Sequence, residues 1–213
     1  MRKILVLLSL LFVFLYTGCT ASADLSVNLD GSLEVKFDAS FGKGFEALLK
    51  NAYGTSDSQS VVEFANPQEL SKDLAKSDFT NIRVVSQKEK SALSVTAKAP
   101  AGKTPLFESG LVKIVNQKIV VQISPKAMQD YYNKSDEQTQ LFMDLLMAPV
   151  FTGEEMTDSE YISLIGSVYG KSVAEELKSS SFKFTLKNPD GTKGEYSFPL
   201  VKMLTLDEAV VLR

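Results

Sequence analysis

The feature that most constrains the fold is a change in hydrophobic periodicity along the chain. Up to about residue 124, apolar residues mostly alternate with polar ones, as on a strand with one buried face. Beyond that point they recur mainly at spacings of three and four, which is typical of amphipathic helices. Strands that come mostly first and helices that come mostly later favour an α+β fold over repeated β-α-β units.

The clearest strand signal lies at residues 25–39. Two alternating runs flank Asp30-Gly31, and an Asp-Gly pair between such runs predicts a tight hairpin. Because the other predicted strands are also joined by short turns, we expect a mainly antiparallel sheet. Those further strands are predicted at 79–86, 92–99, 111–115, 119–124 and 181–187, with a last candidate at 196–204.

Helices are predicted from periodicity and from their terminal residues. Asn66 and Pro67 are a favourable cap and first residue for a helix over 67–77. Thr157 and Glu160 form a capping box that begins a long helix reaching about Ser179. The other predicted helices are 42–53, 125–132 and one from Ser135 to about Met147 that is ended by Pro149 and Gly153.

Residues 24–213 contain no sign of a domain boundary. The predicted sheet has one face to bury, and the later helices supply apolar stripes that can cover it. We therefore predict a single α+β domain, a mainly antiparallel sheet with helices packed on one face. A domain of this length buries about 70% of its unfolded surface, which is enough to fold without disulfides.

The N-terminus has the layout of a secretion signal. Arg2 and Lys3 precede an apolar run from Ile4 to Tyr16. As a helix this run would be about 20 Å long, too short for a hydrocarbon core of about 30 Å. The run is followed by Thr17-Gly18-Cys19, which resembles the lipobox of bacterial lipoproteins, whose Cys is acylated through its thiol.

Under this interpretation residues 1–18 are a lipoprotein signal peptide. Residues 19–23 are then the acylated Cys19 and a short polar tether, ahead of the α+β domain at 24–213. Tyr16 stands where the usual lipobox has Leu, as in the relaxed boxes of spirochaete lipoproteins. The alternative is an ordinary secretory signal that is cut near Ala21 or Ala23.

An acylated Cys19 would make the membrane a partner and place the protein at the bacterial cell envelope. Two acyl chains on the sulfur and one on the new amino group exceed what stable anchoring needs. The sequence has no second run of about 18 apolar residues. The choice between inner and outer membrane stays open, although Thr20, rather than Asp, after the Cys favours the outer one.

Composition excludes several classes of active site. The 213 residues include no His, no Trp and one Cys, so a His-dependent triad, an imidazole metal site and an internal disulfide are not possible. Loss of Arg2 and Lys3 would leave 21 basic against 26 acidic residues. An acidic chain without a basic patch is not expected to bind nucleic acid, and no cofactor is expected.

Carboxylates are the remaining candidates for chemistry. Hard cations such as Ca²⁺ take oxygen ligands, but acidic residues at a helix start are also favoured by the helix dipole alone. We favour the helix-dipole interpretation for the acidic residues near the start of the long helix, and likewise for Asp136-Glu137. A hydrolase would need two carboxylates across a cleft. The candidates for a cation site are Glu154, Glu155, Asp158 and Glu160. The candidates for a hydrolase are Asp136, Glu154, Asp158 and Glu160.

Glycines and an apolar cluster give further alternatives. Gly102-Lys103-Thr104 and Gly42-Lys43-Gly44 resemble phosphate loops only in part, because each lacks a required glycine. Gly166 and Gly170, four apart in the long helix, favour close packing against the sheet over a groove for an acyl chain. Core packing is likewise favoured over a lipid pocket for the cluster Phe142, Met143, Leu146 and Met147.

Several later segments resemble uncharacterised bacterial lipoproteins, many of them from spirochaetes, and are distantly similar to the LppM-type lipoprotein domain. The resemblance implies an α+β fold and binding of lipids or glycolipids at the envelope. It assigns no binding residue, and the membrane span that follows the LppM domain is not found here. The segments are 157–162, 167–170, 182–186 and 198–206, together with Cys19 and Asp30-Gly31-Ser32.

We therefore expect a non-enzymatic, lipid-anchored envelope protein that binds a hydrophobic or lipid ligand or another envelope component. The first alternative is a structural or surface interaction module without a ligand pocket. The second, less favoured, is a carboxylate-dependent envelope hydrolase. Cys19, as the lipidation site, is the one functional residue that the sequence assigns.

Overall fold

The computed structural model describes residues 20–53, 66–87, 91–135, 137–206 and 208–213. Within these ranges the chain forms nine strands and eight helices. The strands are β1 (Thr20–Val27), β2 (Leu33–Ser40), β3 (Thr80–Gln87), β4 (Ala92–Ala99), β5 (Val112–Val115), β6 (Lys118–Ile123), β7 (Ser181–Lys187), β8 (Lys193–Pro199) and β9 (Val210–Leu212). The helices are α1 (Lys43–Tyr53), α2 (Pro67–Lys76), α3 (Pro105–Glu108), α4 (Pro125–Tyr132), α5 (Glu137–Thr152), α6 (Asp158–Tyr169), α7 (Lys171–Ser179) and α8 (Leu200–Thr205).

Two sheets organise the molecule. The larger has six strands in the order β3-β4-β2-β1-β7-β8, and only β1 and β7 run parallel among its neighbouring pairs. The smaller sheet, in the order β5-β6-β9, is antiparallel. The predicted α+β class and mainly antiparallel sheet are therefore confirmed, while β9 and the short helix α3 were not predicted.

The larger sheet has one apolar and one polar face, as the alternation of its strands requires. Leu25 and Phe184 on the apolar face are buried, whereas Lys36 and Lys183 on the opposite face are exposed. Helices and the smaller sheet cover the apolar face, and one hydrophobic cluster contains core residues numbered from 23 to 212. The described residues thus share one hydrophobic core, which confirms the prediction of a single domain.

Two hairpins of the larger sheet share one turn chemistry. In the β1–β2 turn the Asp30 carboxylate accepts a hydrogen bond from the backbone N–H of Ser32 at 2.9 Å, and Gly31 has a φ of +76°. The β7–β8 turn repeats this with Asp190 and Thr192, again at 2.9 Å. Glycine supplies the positive φ of each turn without steric cost. The predicted Asp30-Gly31 hairpin is confirmed.

The chain immediately after Cys19 is a strand. Thr20 is the first residue of β1, where it pairs with Ser40 of β2 and with Ser181 of β7. The hydroxyl groups of Thr20 and Ser40 also hydrogen-bond to each other at 2.8 Å. The expectation of a tether with little structure over residues 20–23 is wrong, because pairing on both sides satisfies the backbone of these residues.

The long predicted helix is interrupted at Gly170. Its residues form α6 and α7, and Gly170 between them has a φ of +99°, which only glycine adopts easily. A Cβ on Gly166 would lie 3.3 Å from the Cβ of Ala174. The predicted close packing of Gly166 is therefore present, but against α7 rather than against the sheet.

The last strand candidate, 196–204, is wrong in its second half. Strand β8 ends at Pro199, and the following residues form α8. Val201, Met203 and Leu204 are buried on that helix. Short apolar runs are ambiguous between strand and helix, because periodicity needs about three turns to show itself.

Candidate functional site: an apolar cavity beside the first strand

A cavity of about 480 Å³ lies between the apolar face of the larger sheet and the layer that covers it. This volume is within the range of about 300–1,000 Å³ that is typical of small-molecule sites. Its walls come from β1, β2 and β7 on one side and from α1, α3, α4, α5, α8 and the smaller sheet on the other. The cavity thus occupies the middle of the fold.

Small residues on β1 and β2 make room on the sheet side. Ala21 lies between Ala39 of β2 and Phe182 of β7, and the next row has Ala23 between Phe37 and Phe184. The rings of Phe37 and Phe182 are 6.3 Å apart, and those of Phe182 and Phe184 are 4.6 Å apart. The aromatic rings on the neighbouring strands therefore pack against one another beside the alanines, and all of these side chains line the cavity.

A bend in α5 shapes the opposite wall. Pro149 cannot donate a backbone hydrogen bond, and its ring clashes with the carbonyl one turn earlier. The bend falls at Met147, whose φ and ψ of −121° and 20° are not helical. Leu146 and Met147 line the cavity at this bend. The predicted end of the helix near Met147 coincides with this break, but a further helical segment that was not predicted follows it and continues to Thr152.

Two tyrosines of α6 compensate for the hydrogen bonds that the bend disrupts. The hydroxyl group of Tyr161 donates to the carbonyl of Leu146, and that of Tyr169 donates to the carbonyl of Leu145 at 3.2 Å. Tyr161 is only 1% exposed, and its burial, with a smaller contribution from Tyr169, raises the pKa of its hydroxyl group well above the ordinary value. The proton that Tyr161 donates is therefore retained at any physiological pH.

The chemistry of the lining suits an apolar ligand. Among the described lining residues, only Thr20 and Ser40 have polar side chains, and only Thr20 is exposed. Both belong to the strand ends nearest Cys19. Methionines at 128, 147 and 203 contribute flexible side chains that can adapt to an irregular ligand. The cavity wall therefore offers apolar contact but no charged group.

The predicted apolar cluster is partly a cavity wall. Met143, Leu146 and Met147 are all buried, as core packing requires. Leu146 and Met147 also line the cavity, so the less favoured interpretation, a lipid pocket, describes these two residues as well. The side chain of Phe142 and the whole of Cys19 lie outside the described part of the structure.

The acidic residues near α6 have structural partners or face solvent. The Glu160 carboxylate accepts a hydrogen bond from the backbone N–H of Thr157 at 2.9 Å, and the backbone N–H of Glu160 donates to the Thr157 hydroxyl at 3.3 Å, which is the predicted capping box. Asp158 lies 3.8 Å from the ammonium of Lys202, and Glu154 and Glu155 are exposed. Asp136 lies outside the described residues, but exposed Glu137 is the first residue of α5. Within the described ranges, no group of three His, Cys, Asp or Glu side chains is placed to hold a metal ion.

Gly42 and Gly44 bind a carboxylate of the protein itself. Their backbone N–H groups donate to the buried Glu176 of α7 at 2.7 and 2.8 Å. A Cβ on Gly42 would lie 2.5 Å from the carboxyl group of Glu176, so the absence of a side chain permits the close approach. Gly102, in the other partial phosphate motif, has a φ of +71° in the turn before α3.

Sequence reasoning missed the sheet side of the cavity. The available signal was the alternation of Ala21 and Ala23 on β1, where small residues stand at positions that usually carry large apolar ones. That signal gains meaning only when Phe37, Phe182 and Phe184 are known to flank them. The pairing of β1 with β7 joins residues about 160 positions apart, which no local pattern predicts.

No protein-family model, curated protein or solved structure matches this chain. In the part of the chain that the structure describes, no helix has the length and apolar character required to cross a membrane.

Proposed function

We propose that this protein is a lipid-anchored component of the bacterial cell envelope that binds one acyl chain, or an apolar ligand of similar size, in its central cavity. The observation that carries the proposal is the cavity itself, with about 480 Å³ of space lined by apolar side chains. The resemblance to LppM-type lipoproteins points the same way and stays a prediction.

The volume favours a single chain as ligand. An apolar cavity of about 150 Å³ accommodates benzene, which has six carbon atoms. On that scale a cavity of 480 Å³ accommodates on the order of 20 carbon atoms. This equals one long acyl chain and is too small for the two chains of an intact phospholipid.

The position of the cavity relative to the proposed anchor supports a membrane source for the ligand. Thr20, the exposed residue of the lining, follows Cys19 directly, and consecutive Cα atoms are about 3.8 Å apart. An acylated Cys19 would hold this rim at the bilayer surface. A chain could then move from the bilayer to the cavity with little apolar surface exposed to water on the way.

The two alternatives have less support. The carboxylates that were candidates for a hydrolase do not line the cavity. The large apolar side chains that are exposed in the described residues lie in the β1–β2 turn, on the smaller sheet and on α6. A surface module would need a contiguous apolar patch, and these side chains belong to separate parts of the fold.

The experiment that tests the proposal is a thermal unfolding titration of residues 20–213 with palmitate. A ligand at 100 times its dissociation constant adds about 2.7 kcal/mol of stability, which corresponds to a rise in Tm of roughly 5–10 °C for a domain of this size. In Ala23→Phe the new ring enters the cavity, so we expect the rise to disappear. Unliganded Ala23→Phe should unfold within about 1 kcal/mol of the parent, since the ring occupies existing space.

The matched control is Ala75→Leu, which adds apolar volume at an exposed position of α2. It should leave the palmitate response unchanged. No rise in Tm for the parent, or an equal rise for the parent and for Ala23→Phe, would show that palmitate does not use this cavity.

A further inference from the structure

A second recess, of about 310 Å³, lies at the same end of the larger sheet as the cavity rim. Four residues belong to both linings: Thr20, Ala21, Ala39 and Ser40. These residues are the start of β1 and the end of β2. The apolar cavity and the second recess are therefore adjacent, with only the two strand ends between them.

A row of polar side chains lines the part of the second recess that extends over the exposed face of the sheet. Lys183 of β7, Ser22 of β1, Asp38 of β2 and Ser94 of β4 form one row in register across four strands. All four line the recess, together with the amide side chain of Gln87. The row offers a ligand two neighbouring donors, the ammonium group of Lys183 and the hydroxyl group of Ser22, while the hydroxyl group of Ser94 donates to Asp38.

The net charge available to a ligand in this row is positive. Asp38 is paired with Lys36 at 2.6 Å. Partial burial acts to raise the pKa of Asp38, but hydrogen bonds from Lys36 and Ser94 more than offset it, so that the pKa is lowered and the carboxylate stays ionised and neutralised. Lys183 is exposed and makes no ion pair with any described residue. Its ammonium group is therefore available to an anion.

We propose that the natural ligand is an anionic amphiphile, with one acyl chain in the cavity and a phosphate group in the second recess against Lys183 and the hydroxyl of Ser22. This inference rests on the proposed function. A membrane phospholipid has this form when one of its chains enters the cavity and the other stays in the bilayer.

The position of Cys19 supports this arrangement. The glyceryl group on an acylated Cys19 would lie at the depth of the phospholipid headgroups. Thr20, the next residue, lines both the cavity and the recess. The recess would therefore lie at the depth of the phospholipid headgroups, while the cavity receives an acyl chain.

The test uses the full acylated chain in phosphatidylcholine nanodiscs that contain a small fraction of a photoactivatable lipid. One probe is phosphatidylglycerol with a diazirine in one acyl chain, and the other is diacylglycerol with the same chain and no phosphate. Crosslinked peptides are quantified by mass spectrometry. We expect both probes to label the cavity wall, including Met128 and Met147, and phosphatidylglycerol to give about fivefold more label, the effect of one partly exposed charge-assisted hydrogen bond.

Two lysine variants on the same strand separate the headgroup from the chain. Lys183→Gln should reduce labelling by phosphatidylglycerol about fivefold and leave labelling by diacylglycerol unchanged. Lys187→Gln is the matched control, because Lys187 is also exposed on β7 but does not line the recess. Its labelling by both probes should equal that of the parent.

Each other result overturns a defined part of the account. Equal labelling of the cavity by both probes, with no effect of Lys183→Gln, would overturn the headgroup inference and leave the proposed function standing. An equal loss of phosphatidylglycerol labelling in Lys183→Gln and Lys187→Gln would show that general surface charge causes the effect. This result would also overturn the headgroup inference. Failure of both probes to label the cavity wall would contradict the proposed function itself.

Discussion

At the scale of single residues, the cavity depends on two features. A few small side chains stand on its sheet side, and the backbone of α5 bends at Met147 on the opposite side. Ala21, Ala23 and Ala39 line the cavity with small side chains, where close packing would normally place larger ones. A void lined by apolar groups is costly, because the lining loses dispersion contacts. A ligand that fills the void recovers those contacts, which gives a physical reason for binding.

Tyr161 is the side chain on which the bent wall most depends. Its hydroxyl group donates to the carbonyl of Leu146 in a nearly inaccessible place. In Tyr161→Phe that carbonyl would be left without this donor, so we expect a loss of about 1–3 kcal/mol in the free energy of unfolding. Urea denaturation of residues 20–213 measures it.

Tyr169→Phe is the natural comparison for that variant. Tyr169 makes the equivalent bond to Leu145 but is only partly buried, so water can replace its hydroxyl group and the loss should be smaller. A loss for Tyr161→Phe no larger than that for Tyr169→Phe would contradict the importance assigned to the buried bond.

At the scale of elements, the two hairpin turns make stability depend on acidity. Hydrogen bonds from Ser32 lower the pKa of Asp30 to about 2, and those from Thr192 lower the pKa of Asp190. Both values lie below those of the unfolded chain, which therefore binds more protons as the pH falls. The stabilisation is complete above about pH 4 and is lost as the pH falls towards 2.

We expect the urea midpoint of the parent to fall between pH 5 and pH 2.5, and to fall less in Asp30→Asn, which has no carboxylate to titrate at that turn. Asp78→Asn, an exposed change outside both turns, should follow the parent. An identical pH dependence in the parent and in Asp30→Asn would show that the turn carboxylate does not contribute.

Elements were predictable from the sequence where their signals are local. The Asp30-Gly31 turn, the cap of α2 and the capping box of α6 each use residues within four positions of one another, and all three are confirmed. The helical segment after Met147 and the break at Gly170 were not predicted, because whether a helix resumes after a proline or breaks at a glycine depends on hydrogen bonds and packing from other elements. Those partners, such as Tyr161, lie elsewhere in the chain.

At the scale of the whole molecule, the fold brings the cavity rim to the residue that follows Cys19. The first strand is central in the sheet, paired on both sides from Thr20 onward. A proposed anchor attached there would have no flexible tether, so the orientation of the domain on the membrane would be restricted. The candidate site could not be predicted from the sequence, because its walls meet only through long-range strand pairing.

The most direct test of the central claim is a native mass spectrum of residues 20–213 purified without detergent from bacterial cells. We predict an adduct of several hundred daltons that is extracted by organic solvent, and its absence from Ala23→Phe prepared in the same way. A bare mass for the parent that also stays bare after incubation with phospholipid vesicles would contradict the claim that the cavity holds an acyl chain.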